Sequence, residues 1–214
     1  MYRCNTMNKT SAVRRGETGG DEPVNLGDRA IDNLKYIRET MERSTSFTAV
    51  PGYGGILMGV TAIAAAYVAN NYAPLRQDWL ITWLVEGIVA FAIGIAATWY
   101  KAAKVDSSLF SIPAKKFAMS FAPPVIVGAI ITVGLYRYGH FEVMIPVWML
   151  CYGAAVVCGG EFSVRIVPIM GWCFIAIGAA AFILPAGLGN TLMAASFGLV
   201  HIIFGAIIAR RYGG

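Results

Sequence analysis

Glu86, His201 and Cys151 are the residues whose types could do chemistry together: a carboxylate, an imidazole and a thiol, each set in an otherwise apolar stretch. An ionised carboxylate at mid-bilayer depth costs about 2.5–3.5 kcal/mol on insertion scales, so Glu86 should be protonated, paired or facing water. An imidazole beside it could relay the proton, and imidazole with thiol could hold a soft cation. Glu86 lies about eight residues into its apolar stretch, and Cys151 and His201 about eleven into theirs. If those stretches are helices running the same way, the three groups share a depth and can converge on a proton, cation or ligand-sensing site. The competing reading gives Glu86 and His201 one structural hydrogen bond each and packs Cys151 as a small apolar residue.

Other chemistry fails on spacing. Cys151 and Cys158 stand about 10 Å apart along a helix, too far to bridge. His140 sits at a span edge, far from His201, so a pair of facing haem ligands is missing. There is no H-E-x-x-H, no G-x-S-x-G and no phosphate-cradling loop. The expectation is no metal, no cofactor and no enzymatic activity.

The elements that must position these groups follow from composition. Hydrophobic residues make up 57% of the 214 positions and charged residues only 14%, against about 25% charged in soluble domains. Eight of the 17 basic and seven of the 12 acidic residues fall within the first 46 positions. The remainder reads as an all-α, polytopic bundle, because a helix of about 20 apolar residues crosses a bilayer and these runs do not alternate as barrel strands do. Six spans are expected: Phe47–Ala69, Trp79–Tyr100, Phe117–Tyr136, Phe141–Cys158, Ile166–Pro185 and Thr191–Ala209, with the fourth the short one. Pro123-Pro124 should kink or partly unwind the third. An even number of spans puts both termini on one side, which then carries fifteen Lys and Arg residues against Arg76 and Arg137 on the other. The positive-inside rule makes that side cytoplasmic. The basic balance is therefore a topology signal, and no nucleic-acid partner is expected.

The chain divides into a cytoplasmic region, 1–46, and a membrane domain, 47–214. Residues 1–24 are polar and Gly-containing and are expected to lack order. Residues 28–44 place Ala30, Leu34, Ile37 and Met41 on one face of an amphipathic helix, with Asp28 as its N-cap. That stripe either lies on the membrane or the bundle's own loops, or docks a partner or a second copy.

Within the membrane domain, Gly55 and Gly59, Gly87 and Gly94, and Gly171 and Gly178 recur at four- or seven-residue spacing and are expected to pack helices closely. The first and fifth spans superpose with Gly52 on Gly171 and Gly59 on Gly178, which raises a repeat of three hairpins.

The run from Asn33 to Arg43, continuing through Phe47-Thr48-Ala49-Val50-Pro51-Gly52, resembles the segment leading into the first span of uncharacterised six-helix bacterial inner-membrane proteins. The Gly-spaced hairpins are distantly similar to small acid-resistance membrane proteins. These resemblances imply an inner-membrane location and no substrate. Two functions follow as expectations. One is a non-enzymatic accessory, scaffold or regulatory component with a membrane or cytoplasmic protein partner, or a homo-oligomer, in the lipid bilayer. The other is a small oligomeric proton, ion or solute transporter or channel with Glu86 and His201 on its pathway.

Overall fold

The computed structural model describes residues 26–44, 46–73, 75–104 and 111–213. The expected disorder of residues 1–24 lies outside them. The chain divides into two units at Thr40 and Met41. Helix α1 spans Leu26–Ser44. It begins two residues ahead of Asp28, so Asp28 is inside the helix and is not its cap. Ala30, Leu34, Ile37 and Met41 share one side of it, as their spacing requires.

The second unit is an all-α bundle: α2 (Gly52–Asn71), α3 (Arg76–Lys104), α4 (Ile112–Tyr138), α5 (Phe141–Gly160) and α6 (Ile166–Ala181), then a final apolar rod, Ala186–Tyr212. The rod starts with a short 3₁₀ turn, continues as α7 (Gly189–Met193), widens into a π-helical segment at Ala194–Val200 and ends as α8 (His201–Tyr212). Five of these six elements are long and apolar enough to cross a membrane, which makes this a multi-pass membrane protein. The 20 residues of α2 give about 30 Å of rise, matching the hydrocarbon core.

Three boundaries differ from expectation. The first helix begins at Gly52 and not at Phe47, because Pro51 disfavours helical geometry at Val50. Phe47 instead runs extended, its N–H donating to Phe162 O at 2.7 Å. The fifth span ends at Ala181, ahead of Pro185, and its 16 residues make α6 the short one, whereas α5 runs a full 20. Helix α4 is continuous through Pro123 and Pro124; its backbone is not unwound there.

The helices pack as two trios. In one, α2 is central, with α3 on one side and α8 on the other; in the other, α5 is central, between α4 and α6. The π-helical segment touches both α2 and α6 and joins the trios. Helices α3 and α4 therefore flank the bundle, and Ile88, Phe91 and Ile95 on α3 and Ile126, Ile130 and Val133 on α4 stay exposed. In a bilayer those faces meet lipid tails.

A backbone crossing holds each trio together. A Cβ added at Gly59 would lie 2.5 Å from Gly198 O, and one at Gly171 would lie 2.7 Å from Gly153 O. Each crossing is reciprocal, and in each the next turn of the opposing helix brings a branched side chain over the glycine: Ile202 and Ile63 in one, Ile175 and Val157 in the other. Only glycine allows backbones so close, where lipid supplies no hydrophobic drive for helix association. This recurrence pairs Gly59 with Gly198 and Gly153 with Gly171, a different register from the superposition of the first and fifth spans. Gly55 faces the Gly205 Cα at 3.3 Å, and Gly178 faces Met149 and Leu150. Gly94 meets only the Met58 sulfur at 3.5 Å, and Gly87 has nothing within 4 Å. Gly87 is therefore not a packing residue within the chain.

Candidate functional site: polar groups inside the bundle

Glu86 is buried on the face of α3 that packs against α2. Its Oε1 lies 2.9 Å from Thr61 Oγ1, which also lies 2.9 Å from Met58 O. One hydroxyl proton serves one acceptor at a time. With Glu86 ionised, Thr61 donates to it; with Glu86 protonated, the acid donates to Thr61 and Thr61 donates to Met58 O. The local geometry accommodates both states, and no cation pairs with Glu86 among the described residues.

His201 begins α8 at the centre of the bundle and is 5% exposed. Its Nε2 lies 2.7 Å from the Tyr152 hydroxyl on α5. Phe174 of α6 and Phe197 of the π-helical segment complete a box of rings, with centroids 5.3 and 6.2 Å from the imidazole. Phe121 of α4 stands edge-on to Tyr152 at 6.0 Å. His201 Nδ1 is enclosed and makes no hydrogen bond of good geometry, although the carbonyls of Phe197 and Ser196 are close by. The tautomer follows by elimination. If Tyr152 donates to Nε2, one orphan remains, the Nδ1–H; if Nε2–H donates to Tyr152, both the phenol proton and Nδ1 are orphaned. The first arrangement leaves less unsatisfied.

Cys151 is turned toward α4, where its Cβ and Sγ fill the space above Gly128 at 3.1 and 3.4 Å from a Cβ built there. It is a packing residue of the α4–α5 contact. Glu86, His201 and Cys151 thus occupy three separate interfaces, and among the described residues no three His, Cys, Asp or Glu side chains come close enough to hold a metal ion. Depth alone does not bring side chains together; azimuth decides, and the three point different ways.

The remaining polar groups are matched locally. Trp148 Nε1 donates to Thr132 Oγ1, and Thr132 donates back to Gly128 O, both at 2.7 Å. Between these pairs the axis is filled: Met149, Met193, Trp83 and Phe174 are each at most 5% exposed.

At the end where α2 starts and α8 finishes, Lys101 is almost fully buried and its Nζ donates to Val50 O, at 2.9 Å, and to Gly213 O. Ser163 Oγ donates to Phe47 O at 2.8 Å. Phe47, Ala49, Ala102 and Ala114 pack beneath, so residues 47–50 are buckled across the ends of several helices. Sequence reasoning missed Tyr152 and Lys101. The first looked like one aromatic among many, and the second was counted only as a topology charge.

Comparison of this chain with protein families, with curated proteins and with solved structures finds no match in any of the three.

Proposed function

We propose that the protein is a non-enzymatic component of the inner membrane, an accessory, scaffold or regulatory subunit with both termini in the cytoplasm. The observation that carries this reading is the filled axis: each intramembrane polar group has a neighbour on an adjacent helix, and large side chains occupy the space between. A conduit needs polar groups lining a connected, hydrated path. The fifteen-to-two split of basic residues supports the orientation, and the resemblance of the segment before the first span supports the compartment. The stripe Ala30, Leu34, Ile37 and Met41 supplies the contact face. A single helix has no core of its own, so those side chains need a surface outside it.

The test is capture of the tagged full-length chain in mild detergent, with and without residues 28–44. Stoichiometric loss of a co-purifying protein, or of a second copy, on deletion is the expected result. The rival reading, a proton or ion pathway through Glu86 and His201, requires pH-dependent flux in liposomes that Glu86→Gln abolishes. That flux, with assembly unchanged by the deletion, would overturn the proposal.

A further inference from the structure

At the end of the bundle opposite Val50 and Gly213, the helix ends enclose a cavity of about 250 Å³. Its wall includes Arg76 and Trp79 of α3, Glu142 and Pro146 of α5, and Asn190 and Leu192 of the final rod. Two observations mark it as built. First, Asn190 Oδ1 accepts from two indoles, Trp79 Nε1 at 2.8 Å and Trp83 Nε1 at 3.4 Å. An indole N–H only donates, so the amide oxygen must face the tryptophans and the amide NH₂ must face away from them. That NH₂ has no partner in the protein, and Asn190 lines the cavity. Second, Arg76 and Glu142 place opposite charges on the rim, Nη2 to Oε1 at 3.1 Å, with Arg76 Nη1 also donating to Gly139 O at 3.2 Å. Arg76 keeps N–H groups unspent, and Glu142 keeps its second oxygen. Both side chains are more than half exposed, so re-partnering them costs little.

The chemistry that satisfies all of these groups at once is an anionic oxygen group and a primary ammonium on one small body. We propose that the cavity binds a free α-amino acid with an apolar side chain. Its carboxylate accepts from the Asn190 amide and Arg76, its ammonium donates to Glu142, and its side chain lies against Ile145, Pro146 and Leu192. The volume is below the 300–1,000 Å³ of drug-sized pockets and suits a metabolite. The site is also a dead end, because Trp83, Met149 and Met193 close its floor. An ethanolamine phospholipid head carries the same pair of charges, but it brings two acyl chains that the closed floor does not admit. The cavity therefore fits binding without passage, and it is independent of the stripe on α1.

The test is titration of the full-length protein, in detergent free of ethanolamine lipid, with leucine, methionine and phenylalanine, read by tryptophan fluorescence and by thermal stability. A saturable response to at least one is expected. For leucine as the binder, leucinol, which lacks the carboxylate, and isocaproate, which lacks the ammonium, should bind about tenfold or more weakly, a loss of about 1.4 kcal/mol each. Arg76→Gln, at the exposed rim, should weaken binding to a similar degree while leaving the fold intact, and Asn190→Leu should do so if it folds. The proposal fails if none of the three amino acids saturates, if ligands lacking one charge bind equally well, or if Arg76→Gln changes nothing. It also fails if the response arises only in nanodiscs containing phosphatidylethanolamine, which would assign the cavity to a lipid head.

Discussion

Helix α3 carries a basic residue near each end, and the two are treated in opposite ways. Lys101 is 5% exposed, without an acidic partner among the described residues, and is held by two backbone carbonyls. The Arg76 side chain is 63% exposed, paired with Glu142 and beside an open cavity. An ammonium desolvated without a counter-ion persists only where surrounding dipoles replace its water. At that end the dipoles belong to the chain entering α2 and the chain leaving α8, so the charge ties otherwise separate strands of backbone. At the other end the ion pair leaves both charges accessible. One end is built to stay shut and the other to exchange partners.

That contrast can be broken in order of expected effect. Lys101→Glu sets a carboxylate against two carbonyl oxygens and should cost about 3–5 kcal/mol, the range for an uncompensated buried charge, read as a large shift in SDS-induced unfolding. Lys101→Met removes the charge and leaves Val50 O and Gly213 O without their donor, for about 1–3 kcal/mol. Ser163→Ala removes one donor to Phe47 O and should cost about 1 kcal/mol in the same assay. Arg76→Gln, by contrast, should stay within about 1 kcal/mol of wild type, because exposed ion pairs contribute little. A loss at Arg76 equal to that at Lys101→Met would erase the distinction between the two ends.

The number and places of the apolar helices were legible because hydropathy reports depth. Which side of each helix faces protein was not legible, since lipid tails and the protein interior are about equally apolar. Gly59 and Gly87 illustrate this: both sit mid-span in small-residue patterns, yet one touches a backbone carbonyl and the other touches nothing. Glu86 stood out because it is the lone acid deep in a span, and it is buried as that isolation implied. Its partner Thr61 and the partner Tyr152 of His201 are ordinary residues in sequence, and only packing pairs them. The start of α2 was misplaced because Phe47 is apolar and hydropathy extended the span through it, whereas Pro51 determines where helical geometry can begin.

The widened turn at Ala194–Val200 has a consequence for phase. Each residue of an α-helix advances the chain by about 100° around the axis, so one extra residue accommodated in a wide turn resets the azimuth of everything that follows. Above the turn, Met193 is buried; below it, His201 and Gly205 are. Both stretches face inward because the turn absorbs the mismatch. Deleting one residue there would restore ordinary winding and rotate α8 by about 100°, carrying His201 away from Tyr152 and Gly205 away from α2. π-bulges of this kind are commonly found at functional sites. Here the rod is a helix with its two halves set to different clocks, and one codon separates the two settings.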